Sequence, residues 1–435
     1  MTHDLPKQDT SRTEFRTWLA RNYPPQSKKL WDSMPRVSYR RKHNLAQQLH
    51  LNRRIQSFDE LVKTFSLEVI YVKSTEETKQ ARGCALLDQT DPDILKFWEA
   101  MQSAWPRRRG SKPRRSFLIG DKKGTKTKKW LELDADKSYL ILDAENHQVV
   151  MFVIRKAISS DRVVMAASDI VDEATGCRRD LRPYEPGRIV AFGHSAGRRD
   201  ARVFGNVKNI IKGKSDTVRV HGMNCNALGV ASLLWAVVES IVPTDITKDF
   251  LDQLDAVNLP PIGADTIDPK GTGYEIKLGM EAYHFPLASR SPPEAYFTRG
   301  YSSAGHTDDS IAPFTFGFGL RREISSPADS WKVGLSQRAC EALATKLPET
   351  IPARPSGGDF VNLKYQIICR NSENLLIMFR PNHLHGSTVP FGATTRSVAF
   401  TASRHIIKAW EKSQICTIDR LEGSNAVFSD TDLCD

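Results

Sequence analysis

Two short segments of this 435-residue chain carry side chains that could hold a redox metal. The first, Arg299-Gly-Tyr-Ser-Ser-Ala-Gly-His-Thr-Asp308, contains a His-x-Asp pair, His306 and Asp308. The second, Leu384-His-Gly-Ser-Thr-Val-Pro-Phe-Gly-Ala-Thr-Thr-Arg-Ser-Val-Ala-Phe400, supplies His385 and then Arg396. Two imidazoles and one carboxylate converging from one side form the donor set of a non-haem Fe(II) centre. A His-x-Asp pair alone arises by chance in a chain of this size. Its weight comes from the order of the four residues and from the strand-like sequence around them.

The chemistry asks for this combination. Three protein ligands leave three iron positions open, two for a chelating cosubstrate and one for O₂. The Arg396 guanidinium has the position expected for a two-pronged contact to the distal carboxylate of 2-oxoglutarate. Arg299 and Ser397 are candidates for further cosubstrate contacts. His383 rivals His385 as the distal ligand, since it lies two residues earlier with the same strand parity. The Leu-His-Gly setting and the spacing to Arg396 favour His385. Each residue also has a bland reading: a capped turn for His306 and Asp308, loop histidines, or an arginine paired with any acid.

Elements must position these groups. From Tyr274 onward the texture is β, with strands expected at Tyr274–Leu278, Tyr296–Tyr301, Pro313–Leu320, Leu363–Ile368, Asn374–Arg380 and Thr395–Thr401. Short strands separated by turns indicate a sandwich or barrel. His306 then follows one strand and His385 another, while Arg396 opens the last. Earlier strands are expected at Ser138–Asp143, Gln148–Ile154, Gly187–Phe192 and Thr217–His221. Helices are expected over Arg12–Asn22, Leu45–Phe65, Asp91–Trp105, Ala227–Val242 and Lys248–Val257, and near Gln337–Leu347.

Charge separates the chain into unlike parts. The net charge is +11, composed of +16 over residues 1–220 and −5 over the rest. Residues 107–129 hold eleven bases and one acid, Asp121, with Gly and Pro breaking any helix. Arg107, Arg108, Arg109, Lys122 and Lys123 lie in this loop and suit nucleic-acid phosphates, which supply sequence-independent affinity. The alternative is a solvated loop that aids solubility. No basic amphipathic helix points to a membrane. The apolar run at Ala227–Val242 contains Glu239 and reads as a buried helix rather than a membrane span.

Seven cysteines with no C-x-x-C spacing read as reduced thiols. His221 and Cys225 could be half of a zinc site, but no second half follows. The polar N-terminus has no apolar signal-peptide core. The expectation is an intracellular, nuclear, monomeric protein.

A competing motif is Gly193-His-Ser-Ala-Gly197, the G-x-S-x-G of a nucleophile elbow. Ser195 would be the nucleophile of a serine hydrolase, with Asp255 and His284 as partners. The charged Arg198-Arg-Asp-Ala-Arg that follows is a poor start for the required helix. A glycine-bearing turn is the favoured reading.

The segments around His306 and His385 resemble Fe(II)/2-oxoglutarate dioxygenases. Gly305-His-Thr-Asp-Asp-Ser-Ile-Ala-Pro-Phe-Thr-Phe-Gly317, with the basic N-terminal half, is similar to the TET/JBP group of DNA dioxygenases, especially its mushroom members. The specific likeness spans Arg299 to His405. The resemblance implies an α+β fold: a double-stranded β-helix (jelly-roll) core flanked by helices, with a helical, basic N-terminal part. It implies Fe(II) held by His306, Asp308 and His385, and 2-oxoglutarate held by Arg396.

The implied activity is stepwise oxidation of 5-methylcytosine to hydroxymethyl, formyl and carboxyl products in double-stranded DNA with the target base flipped out. Ile311 and Arg404, with His405 beside it, stand where relatives often read that base with other residues. That difference adds N6-methyladenine demethylation as an expected activity. Trp331, in an insertion at 321–359, is expected to touch DNA, the alternative being an ordinary surface excursion. The organisation expected is a basic region over 1–135 with its DNA-binding loop at 105–130, a dioxygenase core over 136–423, and an acidic tail over 424–435. Other readings are a 2-oxoglutarate-dependent hydroxylase of protein or RNA, and a nucleic-acid-binding module with an inactive core.

Overall fold

The computed structural model describes residues 55–88, 94–104, 114–120, 130–197, 202–207, 217–259, 262, 274–278, 281–285, 291–331, 340–341, 351–352 and 355–423. The first half comprises α1 (Phe58–Phe65), β1 (Glu68–Val72), β2 (Ala85–Asp88), α2 (Ile94–Ala104), β3 (Ser116–Ile119), β4 (Leu131–Leu133), β5 (Tyr139–Asp143), β6 (Val149–Arg155), α3 (Asp161–Cys177), β7 (Arg188–Gly197) and β8 (Arg202–Asn206). There follow α4 (Thr217–Ile241), α5 (Thr244–Asp255), β9 (Tyr274–Leu278), β10 (Glu281–Phe285), β11 (Glu294–Arg299), β12 (Thr315–Ile324) and α6 (Pro327–Trp331). The chain closes with β13 (Phe360–Asn362), β14 (Ile367–Cys369), β15 (Leu375–Phe379), β16 (His385–Ser387), β17 (Ala393–Thr401) and α7 (Arg404–Gly423).

The strands form a nine-stranded major sheet, β1-β5-β6-β15-β12-β17-β11-β7-β8, and a four-stranded minor sheet, β16-β13-β14-β4. Within them sits a jelly roll. Strands β15, β12, β17 and β11 are neighbours in the major sheet. Strands β14, β13 and β16 face them, and the segment around His306 completes that face. His306 and His385 pair through reciprocal backbone bonds of 2.8 and 2.9 Å. The order of these seven strands and the His306 bridge in a mixed α+β fold is consistent with a double-stranded β-helix.

Period-two alternation in the sequence builds the layers. In β12, Phe316, Phe318 and Leu320 face one side, while Thr315, Gly317 and Gly319 face the other. The phenylalanine side packs with Phe297 of β11 and Val398 and Phe400 of β17 against α3 and α4. Trp235 of α4 makes edge-on contacts with Phe316 and Phe400. The opposite side faces a lumen between the sheets, lined by Leu375, Ile377, Phe379, Ile367 and Cys369. The outer side of the minor sheet is covered by Leu86, Ile119 and Trp130 from the N-terminal half.

Several elements differ from the sequence expectation. Thr217–His221 opens α4 rather than forming a strand; its β-branched residues continue into a long apolar run that the core takes as helix. Leu363–Ile368 is interrupted by a turn, with Gln366 at φ 54°, so two short antiparallel strands flank it. Helix α3 was not expected, although Val163, Ala167, Val171 and Ala174 form a buried stripe at helical spacing. The expected helix over Asp91–Trp105 is present as α2. Helix α4 is long and apolar enough to cross a membrane, but 82% of its apolar window is buried inside the protein. Residues on both sides of position 135 build the same sheets, since β1 pairs with β5 and β4 with β14. The helix expected over 12–22, most of the basic loop, the start of the 45–65 helix and the 424–435 tail lie outside the described residues.

Candidate metal centre

The lumen opens at the end of the barrel where β11 and β12 begin and β15 and β17 end. There the loop after His306 is laced to the segment after β17. Ile311 donates its backbone N–H to Ala402 O at 3.0 Å, and Arg404 donates its own to Asp309 O at 3.0 Å. Asp308 is fixed by its backbone N–H to Pro381 O at 2.8 Å.

His306, Asp308 and His385 converge at this opening. One ligand atom from each lies within 4.8 Å of the others. His306 Nε2 stands 3.3 Å from Asp308 Oδ1, and His385 Nε2 stands 3.4 Å from Asp308 Oδ2. The imidazole centroids are 4.4 Å apart.

The two rings are oriented by the same device. His306 Nδ1 lies 2.8 Å from Ala304 O, and His385 Nδ1 lies 2.7 Å from His383 O. A carbonyl only accepts, so each Nδ1 donates its proton there, and each Nε2 is the ring atom turned toward Asp308 and the common centre. His385 is 4% exposed and packs on Phe360 and Phe379. The side chains of His306 and Asp308 are about 40% exposed, so the cluster is walled on one side and open on the other.

Electrostatics couple the three groups to one another. Burial works to raise the Asp308 carboxyl, but the two imidazoles overcome it and hold it well below the usual carboxylate range. Burial works to lower His306, and Asp308 outweighs it, raising this imidazole. His383 points elsewhere: it is buried beside the Tyr365 ring, and burial with the nearby Lys364 and Arg380 cations pushes it down to about 3. The structure brings His385, not His383, to the cluster. Two imidazoles, one carboxylate and an open side fit a divalent iron.

Arg396 and Arg299 are not at this site. Arg396 alternates with Val398 and Phe400 and faces the helices, away from the lumen. Its guanidinium is held by Asp172 of α3, at 3.0 Å from both Nε and Nη2, and by Glu323 at 2.7 Å. Arg299, directly opposite in β11, also reaches Asp172, at 3.2 Å. Neither is placed to grip a cosubstrate at the metal, because strand parity puts both on the outer side of the sheet. Ser397 does face the lumen, where its hydroxyl hydrogen-bonds to that of Thr298.

Sequence reasoning missed other groups on this face. Tyr296, on the lumen side of β11, donates its hydroxyl to Glu294 at 2.9 Å, and Asp308 acts electrostatically on both. Asn362 lies opposite His385 in the β13–β16 ladder, fully buried, with neither side-chain amide atom hydrogen-bonded among the described residues. Its parity with Phe360 was readable from the sequence. The pairing with His385 was not.

The remaining candidates divide. Arg404 is at the rim, its Nε 3.0 Å from Asp309 Oδ1, and His405 beside it is exposed. Ile311 packs against the helix-side core rather than into the opening. Trp331 ends α6, and its side chain lies outside the described residues, as do Arg107, Arg108, Arg109, Lys122 and Lys123. Ser195 sits in a β-hairpin with a bulge between β7 and β8, and its Oγ accepts the Gly197 N–H at 3.1 Å. Among the described residues the motif lies in a strand paired with β8 and opens no helix, so the nucleophile-elbow geometry is not formed.

No protein-family model and no curated protein sequence matches the chain. Among solved structures it is similar to NgTET1 in complex with 5mC DNA, at 8% identity and a TM-score of 0.38, covering 75% of this chain and 97% of that one. It is also similar to a prolyl-4-hydroxylase from Pseudomonas putida, at 11% identity and a TM-score of 0.26, covering 59% and 93%. Likenesses this distant assign neither chemistry nor substrate.

Proposed function

We propose that the protein is an Fe(II)- and 2-oxoglutarate-dependent dioxygenase that oxidises methylated bases in DNA, with 5-methylcytosine as the main substrate and N6-methyladenine as a second. The observation that carries the reading is the convergence of His306, Asp308 and His385 with both Nε2 atoms aimed inward. Iron with its cosubstrate and O₂ supplies oxidation of a C–H bond coupled to decarboxylation.

The chain's own residues set the conditions. Backbone carbonyls of Ala304 and His383 hold the imidazole tautomers. Phe360 and Phe379 keep water from the buried side of His385. The exposed side of His306 and Asp308 leaves room for a flipped base, and Arg404 sits at the rim for a phosphate.

A dicarboxylate would enter the lumen beside Gly317, where a Cβ would meet nothing within 4 Å. The donors on that face are the Asn362 amide and the hydroxyls of Thr315, Thr298 and Ser397. Thr315 Oγ1 is buried without a hydrogen-bond partner among the described residues. The DNA assignment is supported by the +16 charge of residues 1–220.

The test is incubation with Fe(II), 2-oxoglutarate and duplex DNA carrying either methylated base, followed by digestion and nucleoside mass spectrometry. Hydroxymethyl-, formyl- and carboxylcytosine are expected, and His306→Ala should abolish them. Succinate formation coupled to a peptide, with both bases untouched, would overturn the DNA assignment and keep the oxygenase.

A further inference from the structure

Four arginines stand in register across four neighbouring strands of the major sheet. Arg188 of β7 pairs with Arg299 of β11, Arg299 with Arg396 of β17, and Arg396 with Arg321 of β12. All four share the outer side, and they lie at the opposite end of the strands from the metal cluster. Five residues separate Glu294, near Asp308, from Arg299, a distance of roughly 17 Å along an extended strand.

Like charges directly opposite one another on a sheet are destabilising, and this row has three such contacts in succession. The acids that reach it are Asp172 and Glu323. Asp172 is shared between Arg396 and Arg299, and Glu323 binds Arg396 alone. Arg188 and Arg321 have no carboxylate within ion-pair distance among the described residues. Arg188 donates Nη2 to Arg178 O at 2.8 Å, and its buried Nε has no partner there. Arg396 is 4% exposed, yet its Nη1 is also buried without a partner. The nearby Asp180 carboxylate accepts the Arg182 and Ile189 backbone amides.

A solvated arginine needs no partner. Arg396 is not solvated, and the four guanidiniums outnumber the two acids that pair with them and Asp180, which acts on Arg188 without an ion pair. Unpartnered guanidinium N–H groups on the sheet face beside α3 suit an oxyanion that accepts from several forks at once. The row meets solvent at Arg299 and Asp172, whose side chains are 35% and 30% exposed.

We propose that the arginine row Arg188–Arg299–Arg396 is a second binding site, separate from the metal centre, for a phosphate oxyanion. Asp172 acts as its internal competitor, holding two of the guanidiniums when the anion is away. The ligand's source is either free phosphate or the backbone phosphate of a nucleic acid. The site does not rest on the proposed oxygenase activity.

Isothermal titration of the full chain with inorganic phosphate, at fixed ionic strength against chloride, tests it. Phosphate binds the native chain, and Arg188→Gln with Arg299→Gln weakens binding about tenfold or more, as loss of charge-assisted forks requires. Asp172→Asn provides a control that does not depend on removing an arginine. It lowers the melting temperature in chloride, tightens phosphate binding, and recovers its melting temperature when phosphate is added.

A purely structural ion-pair network would show the loss in Asp172→Asn without the phosphate rescue, and that result overturns the proposal. So does equal stabilisation by chloride and phosphate. A short DNA duplex forms the second arm. Weaker duplex binding in the arginine variants, with competition by phosphate, identifies a nucleic-acid backbone as the source. Unchanged duplex binding identifies the free ion.

Discussion

Arg396 points away from the lumen into which His385 points, although eleven residues separate them in the segment that first suggested a shared site. Their positions make different demands on mutation. Arg396→Ala leaves Asp172 and Glu323 without their main partner and should destabilise the fold by about 3 kcal/mol, the low end for a broken buried pair because both acids are partly exposed. Chemical denaturation reads this directly. Adding Asp172→Asn should recover part of the loss, a coupling that a double-mutant cycle measures. Iron affinity should be unchanged.

The metal set predicts the opposite pattern. His306→Ala, Asp308→Ala and His385→Ala should each remove stoichiometric Fe(II) binding while leaving the melting temperature of the metal-free protein within a few degrees. Metal analysis after gel filtration checks the first and calorimetry the second. His383→Ala should retain iron. Full metal retention in His385→Ala would transfer the distal position to another residue.

Gly317 faces the lumen, and a Cβ there would meet nothing within 4 Å. Gly317→Leu should fill that space, keep bound iron and raise the KM for 2-oxoglutarate by about tenfold or more, the scale of a blocked pocket contact worth over 1.4 kcal/mol. Unchanged KM would place the cosubstrate elsewhere.

The acid range of stability has a local origin. Tyr365 donates its hydroxyl to Asp143 at 2.6 Å, and this bond, with the backbone N–H of Glu145, holds the Asp143 carboxyl below the usual range. A depressed carboxyl contributes stability that is present above its unfolded value of 3.8 and is lost as pH falls through the folded value. Tyr365→Phe should therefore lower stability by about 1 kcal/mol at neutral pH and by progressively less in acid. A pH series of urea melts checks the convergence.

Cys369 lines the lumen with no exposure, and burial pushes its thiol up to about 11. It should resist iodoacetamide in the native state at pH 8 and react on unfolding. Mass mapping after a short pulse distinguishes the two.

The parts of the site legible in sequence were those set by spacing within a segment. His306 and Asp308 are two residues apart on one turn, and His385 ends a loop after a strand, so all three could be named. Arg396 was misplaced because spacing does not reveal which side of a strand a residue faces. Only the alternation with Val398 and Phe400 settles that, and it requires knowing that the helices, not the lumen, cover those aromatics. The strands around Gly317 were visible as alternation. Helix α3 had a clear apolar stripe but no strong cap, and Asn362 became notable only once β13 met β16.

The pairing of β4 with β14 carries a consequence for biogenesis. Leu131 meets Ile367 in a parallel ladder, so a strand made early must wait for a partner 236 positions downstream. At cellular synthesis rates that delay is roughly 10–50 s. Throughout it, Leu131 and Leu133 have no sheet to join, and the outer side of the minor sheet does not yet exist to receive Leu86 and Trp130. Ribosome-bound intermediates shorter than the β14 strand should therefore be bound by chaperones and cleaved by proteases, and acquire resistance in one late step.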